Sequence, residues 1–131
     1  MKINKHNIAI LIIAAITFVG IAATRPTNYP HKNLQILPAD ISDKKLDSIM
    51  ESYNKALGVT CDFCHASFQG FPDSLDFASD AKPMKEEARK MMRMTIKINK
   101  ENFYFDKEER PEYLKVVHCM VCHRGEAYPD L

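Results

Sequence analysis

Two segments of this chain carry the same set of reactive side chains at the same spacing: Cys61-Asp-Phe-Cys64-His65 and Cys119-Met-Val-Cys122-His123, 58 positions apart. C-x-x-C-H is the attachment pattern of c-type haem. Two cysteines three apart on a helical turn can reach the two vinyl groups on one porphyrin edge and form thioethers. The histidine after the second cysteine then lies beneath the iron and can offer an imidazole nitrogen. Cys61, Cys64, Cys119 and Cys122 are therefore expected as covalent tethers of two haem c groups, with His65 and His123 as iron ligands. Two disulfides, or one zinc site built from all four cysteines, would also use such pairs. Neither explains a histidine directly after both. A thioredoxin-like redox pair would need a βαβ setting, and no strand pattern is evident.

A haem iron has a sixth position, which is either filled or left open for chemistry. Methionine there raises the potential and suits electron transfer. From spacing alone Met50 is more often core filler than ligand, because a methionine on an apolar helical face packs well anywhere.

The elements that must position these groups are helical. Ser42 is a good N-cap, Leu46, Ile49, Met50, Tyr53 and Leu57 follow at helical spacing, and Gly58 stands where a helix-ending glycine belongs. The first motif comes next. Gly70, Pro72 and neighbouring turn formers predict a loop over 66–82. Pro83 suits the first turn of a second helix, with Glu86 and Glu87 near its positive end. The apolar stripe of that helix is Met84, Ala88, Met91, Thr95 and Ile98, with Met92 and Met94 flanking, and it runs to about Asn99 or Phe103. Pro111 is placed to begin a short helix before the second motif. The fold class expected is mainly α: a small dihaem cytochrome of two helix–turn–C-x-x-C-H units with long loops. Tyr53, Phe63 and Phe103–Phe105 are expected to pack on porphyrin faces.

Ahead of this domain (42–131), residues 24–41 hold three prolines and no helical period, predicting an extended linker. Residues 1–23 place Lys2 and Lys5 before an apolar run from Ile8 to Ala23, the layout of a secretory signal or of an uncleaved N-terminal anchor. Either places the rest outside the cytoplasm, in the bacterial periplasm or held at the inner membrane, where haem c attachment occurs. The net charge of +1 becomes −1 without that segment, with 16 basic and 17 acidic side chains left. No basic stripe suggests nucleic acid. The charge run 106–112 reads as a solvated loop, His31 as a surface residue, and His118 as facing solvent or a propionate.

The stretches NLQILPADIS, LDFASDAKPMKEEARKMMRMTIKINKENF and CHRG make residues 33–127 similar to the N-terminal, two-haem half of the tetrahaem cytochrome subunit of photosynthetic reaction centres. In that family each haem unit is a helix, a turn and C-x-x-C-H, and the helix supplies a methionine to the iron. The resemblance implies Met50 as the distal ligand of the first haem and Met91 of the second, with Met92 or Met94 as substitutes. It also implies a propionate contact for Arg124. Only two of the family's four motifs are present, and YFDKEERPEYLK is an apparent insertion before the second. The expected function is one-electron transfer between redox partner proteins. The rival is a small dihaem peroxidase or reductase with one open iron, but so short a chain leaves little protein for a shielded substrate pocket.

Overall fold

The computed structural model describes residues 31–130, so the expected leader 1–23 and residues 24–30 lie outside the described residues. Helix α1 spans Asp43–Leu57 and α2 spans Pro83–Asn102, while a short α3 spans Cys119–His123. Between α1 and α2 lie a 3-10 turn at Cys61–Phe63 and two strands, β1 (Ala66–Phe68) and β2 (Phe71–Asp76). A second 3-10 turn covers Pro111–Tyr113. Among the described residues, no helix is long and apolar enough to cross a membrane.

The ends of α1 follow from its sequence. Ser42 is extended and its hydroxyl accepts from the Lys45 amide at 3.3 Å. Gly58 closes the helix at φ 65°, a left-handed conformation that glycine adopts without steric cost, with its N–H on the Asn54 carbonyl. Ile49 and Ala56 are buried on the inward face. Helix α2 starts on Pro83 and runs to Asn102, as its spacing predicts.

Three expectations change. The loop predicted over 66–82 contains an antiparallel hairpin, with Ala66 opposite Asp76 and Ser67 opposite Leu75. Gly70, at φ 85°, makes the turn, and Pro72 is tolerated because a two-stranded ribbon leaves each strand an unpaired edge. The described part of the expected linker is irregular but not a spacer. Leu37 and Ile41 are each 6% exposed and form the core with Ile49, against which Leu34, Leu46, Met50, Tyr53, Met92 and Tyr113 pack. His31 joins this stretch to α1, its Nε2 lying 3.1 Å from the Ile41 carbonyl and 3.2 Å from the Asp43 carboxylate. Finally, Pro111 opens only one 3-10 turn, and α3 begins at Cys119 itself.

A fourth change is the face that α2 buries. Lys85, Arg89 and Asn99 are its buried residues, not the methionine stripe. Their burial is compensated. Asp80 lies 2.9 Å from Arg89 and 3.1 Å from Lys85, and accepts from Asn33 at 2.8 Å. Lys85 also donates to the Phe77 and Ser79 carbonyls. Asn99 uses its whole amide: Nδ2 donates to the Leu114 and Val117 carbonyls, and Oδ1 accepts from the Val117 amide at 2.8 Å. The inserted stretch is tied back as well, by a bidentate Arg110–Asp40 pair at 2.7 and 2.9 Å.

The hydrogen bonds from Arg89, Asn33 and Lys85 hold the Asp80 carboxyl well below the usual carboxylate range. A depressed folded-state value means that Asp80 contributes stability fully above roughly pH 4, and that the contribution disappears as acid drives the pH down toward that lower value. Thermal midpoints of the Asp80→Asn protein, measured across pH, should fall below wild type at neutral pH. The gap should narrow progressively below about pH 4.

Candidate haem-attachment sites

At the first motif a 3-10 turn brings Cys61 and Cys64 to one side, and the His65 amide donates to the Cys61 carbonyl at 3.0 Å, continuing the turn. Asn54 of α1 donates to the Cys61 sulfur at 3.4 Å. All four cysteines are free thiols. Burial raises the Cys64 and Cys119 thiols above their usual range. The His65 ring meets Phe77 edge-on, with centroids 5.0 Å apart. Burial first, then the Lys85 and Arg89 charges, lowers its pKa. Both causes disfavour the protonated ring and so favour the form with a nitrogen lone pair to offer a metal. Its Nδ1 is buried without a hydrogen-bond partner. Buried polar atoms are seldom left so, and they gather at functional positions.

The second motif forms α3, with His118 as its N-cap and Arg124, at φ 52°, closing it. His123 Nδ1 lies 2.9 Å from the Glu126 carbonyl. Because a carbonyl only accepts, Nδ1 carries the proton and Nε2 keeps its lone pair. A metal-binding histidine is oriented in the same way, by a hydrogen bond from the nitrogen that does not bind. Arg124 is exposed and forms no ion pair among the described residues. His118 is exposed too.

The methionines separate by face. Around α2, Met84, Ala88, Met91, Thr95 and Ile98 fall within about 80° of one another, beside the buried face. This stripe is only half-covered, and Met91 at its centre is 40% exposed. Met92 lies about 100° around the helix from Met91, on the buried face, packed against the core cluster. Met94 is 46% exposed. The Met84 sulfur accepts from the Tyr128 hydroxyl at 3.3 Å. Met50 also rests on the core cluster, and it is the one methionine of α1.

A cavity of about 270 Å³ opens beside the second motif, walled by Tyr53, Met92, Thr95, Tyr113, Val117 and Cys119. This is slightly under the ~300–1,000 Å³ of enclosed ligand pockets. Cys119 contributes to its wall, so the expected tether borders the cavity. Burial, and secondarily the Cys119 thiol, pushes the Tyr53 hydroxyl far above its ordinary range. The residues present fit haem c on both counts: imidazoles beside paired free thiols, one with an unpartnered buried nitrogen and one held through Nδ1, and an apolar stripe only half-covered by protein. Among the described residues, no group of three or more His, Cys, Asp or Glu side chains is placed to hold a metal ion, so the four-cysteine zinc alternative has no geometry behind it.

Sequence reasoning did not find Asn99, Asp80 or Glu126. Each acts through a contact distant in the chain or with a backbone carbonyl, and neither leaves a local pattern. Phe105, expected on a porphyrin face, stands 85% exposed.

The family model for the photosynthetic reaction centre cytochrome C subunit matches residues 22–131. Cytochrome c-554 of Chloroflexus aurantiacus is 33% identical over 99 residues, covering 74% of this chain and 21% of its own length. The chain thus spans about a fifth of that relative. No solved structure matches.

Proposed function

The chain belongs to the photosynthetic reaction centre cytochrome c subunit family, and from that premise we propose that it is a dihaem electron carrier working outside the cytoplasm. Cys61 and Cys64 tether one haem c, and Cys119 and Cys122 the other. His65 and Met50 hold the first iron, His123 and Met91 the second. Bound haem would supply a one-electron couple, and a histidine–methionine ligand pair would poise it high.

The chain's own residues do the rest. Glu126 fixes the His123 ring by accepting from Nδ1. Lys85 and Arg89 help keep His65 unprotonated. Asn99 pins residues 114–117, the approach to Cys119, onto α2. The half-covered stripe around Met91 would give the second porphyrin an apolar bed and a sulfur donor; Met92, the alternative donor, packs on the core cluster and also lines the cavity beside Cys119. Arg124, exposed just past the second motif, is free to pair with a propionate through its planar fork. Electrons pass to and from redox partner proteins across exposed haem edges, without substrate chemistry.

The observation that carries this reading is the His123 Nδ1 hydrogen bond to the Glu126 carbonyl, which leaves Nε2 as the nitrogen available to a metal. Protein matured in a host with haem c attachment should show the mass of the polypeptide plus two haems, and should not bind carbon monoxide in its native reduced form. A mass equal to bare polypeptide sinks the proposal. Ready carbon monoxide binding at one iron transfers the chain to the class of dihaem enzymes.

A further inference from the structure

The two C-x-x-C-H motifs are not attached to the fold independently. Gly58, which caps α1 three residues before Cys61, abuts the turn that follows His123. Gly125 donates its N–H to the Ala56 carbonyl at 2.9 Å. A Cβ on Gly58 would stand 2.1 Å from the Gly125 carbonyl oxygen and 3.1 Å from its carbon. A little further on, the Tyr128 ring meets Phe63, which sits between the cysteines of the first motif, edge-on at 6.4 Å. Its hydroxyl donates to Met84. The tail of the second motif is thus seated on the first.

We propose that this junction, Gly58 against Gly125 with Tyr128 over Phe63, is the spacer that sets the distance and angle between the two haems. The inference rests on the dihaem reading. Its physical basis is rigidity. A thioether-bound porphyrin moves with the turn that carries its cysteines, so whatever locks the two turns together also locks the two cofactors. Electron transfer between centres falls steeply with separation, and it depends on such a contact even though no haem touches it. Gly58 is needed there twice, for its left-handed backbone and for the absence of a side chain. Alanine would force the Gly125 backbone to retreat by roughly 1 Å to regain van der Waals distance. Gly58 and Gly125 are positioning residues on this view, since neither meets the reacting centre.

The test uses Soret-region circular dichroism of the full, matured chain, in which two close haems at a fixed angle give a two-signed band. Intact mass first establishes that wild type carries two haems; fewer would be a failure of the dihaem reading rather than of the spacer. With two haems present, wild type should show the two-signed band, and its absence overturns the spacer. Gly58→Ala with both haems attached should lose that band, and should narrow the separation between the two reduction midpoints. Gly70→Ala is the control for strain alone, because Gly70 is also left-handed, at φ 85°, but an added Cβ meets nothing within 4 Å. It should keep the band. An unchanged band in Gly58→Ala, or an equal loss in Gly70→Ala, overturns the proposal. If Gly58→Ala does not mature, Tyr128→Ala decides. Tyr128 is 73% exposed, so its loss spares the core. A weakened band supports the spacer, and a wild-type band overturns it.

Discussion

A Cys119→Ser/Cys122→Ser chain is expected to emerge from maturation with one haem instead of two, and to be far less stable than wild type. The thiols are the sole covalent means of holding the second porphyrin, and hydroxyls do not add to vinyl groups to form thioethers. The stability loss follows from the open face of α2. The stripe of Met84, Ala88, Met91, Thr95 and Ile98 is only half-covered, and the cavity beside Cys119 adds apolar side chains of Tyr53, Met92 and Val117 among polar ones. Each 100 Å² of such surface that a porphyrin covers is worth about 2.5 kcal/mol. Several hundred square ångströms would therefore exceed a large share of the roughly 5–15 kcal/mol that stabilises a typical domain. The described core contains only four buried apolar side chains, Leu37, Ile41, Ile49 and Ala56, so it cannot compensate. Intact mass and far-ultraviolet circular dichroism with thermal melting check the two halves of the expectation. A double variant that melts at the wild-type temperature would show that protein contacts alone sustain the fold.

Met91→Ala should act on the cofactor rather than on the fold. Met91 is 40% exposed at the centre of the open stripe, so removing its side chain creates no cavity in the protein core. If its sulfur holds the second iron, the reduction midpoint of that haem falls by on the order of 0.1 V, within the roughly 0.8 V over which axial ligands set haem potentials. The iron also becomes open to carbon monoxide. The first haem keeps its midpoint. Met92→Ala is the companion. Met92 packs, partly buried, on the Leu37–Ile41–Ile49 cluster, so its truncation should cost stability, at most the lower end of the about 2–5 kcal/mol of a buried methionine, while leaving the potential in place. Spectropotentiometry and chemical unfolding of the pair separate the roles. A potential that moves with Met92 and not Met91 would reassign the ligand.

The ends of α1 and α2 were legible because they rest on single residues with local chemistry. Ser42 satisfies a free amide, Gly58 takes a left-handed turn, and Pro83 begins a helix. The hairpin was missed because Pro72 argues against a strand, and its edge position, where no ladder amide is needed, is not written locally. The buried face of α2 was misjudged for a deeper reason. The apolar stripe exists as a period in the sequence, but a period does not state which side of a helix the rest of the chain will cover. Lys85, Arg89 and Asn99 face inward, each with partners distant in the chain or in the backbone.

The paired cysteines and histidines, the capped helices and the family likeness were determined by residue type and spacing alone, since thioether attachment and capping are chemistry within one turn of chain. Which methionine faces the core and which lies open, how Glu126 orients His123, and how the two motifs meet at Gly58 and Gly125 were decided only by tertiary structure. Those depend on which surfaces the folded chain brings within a few ångströms of each other, and no local period encodes that.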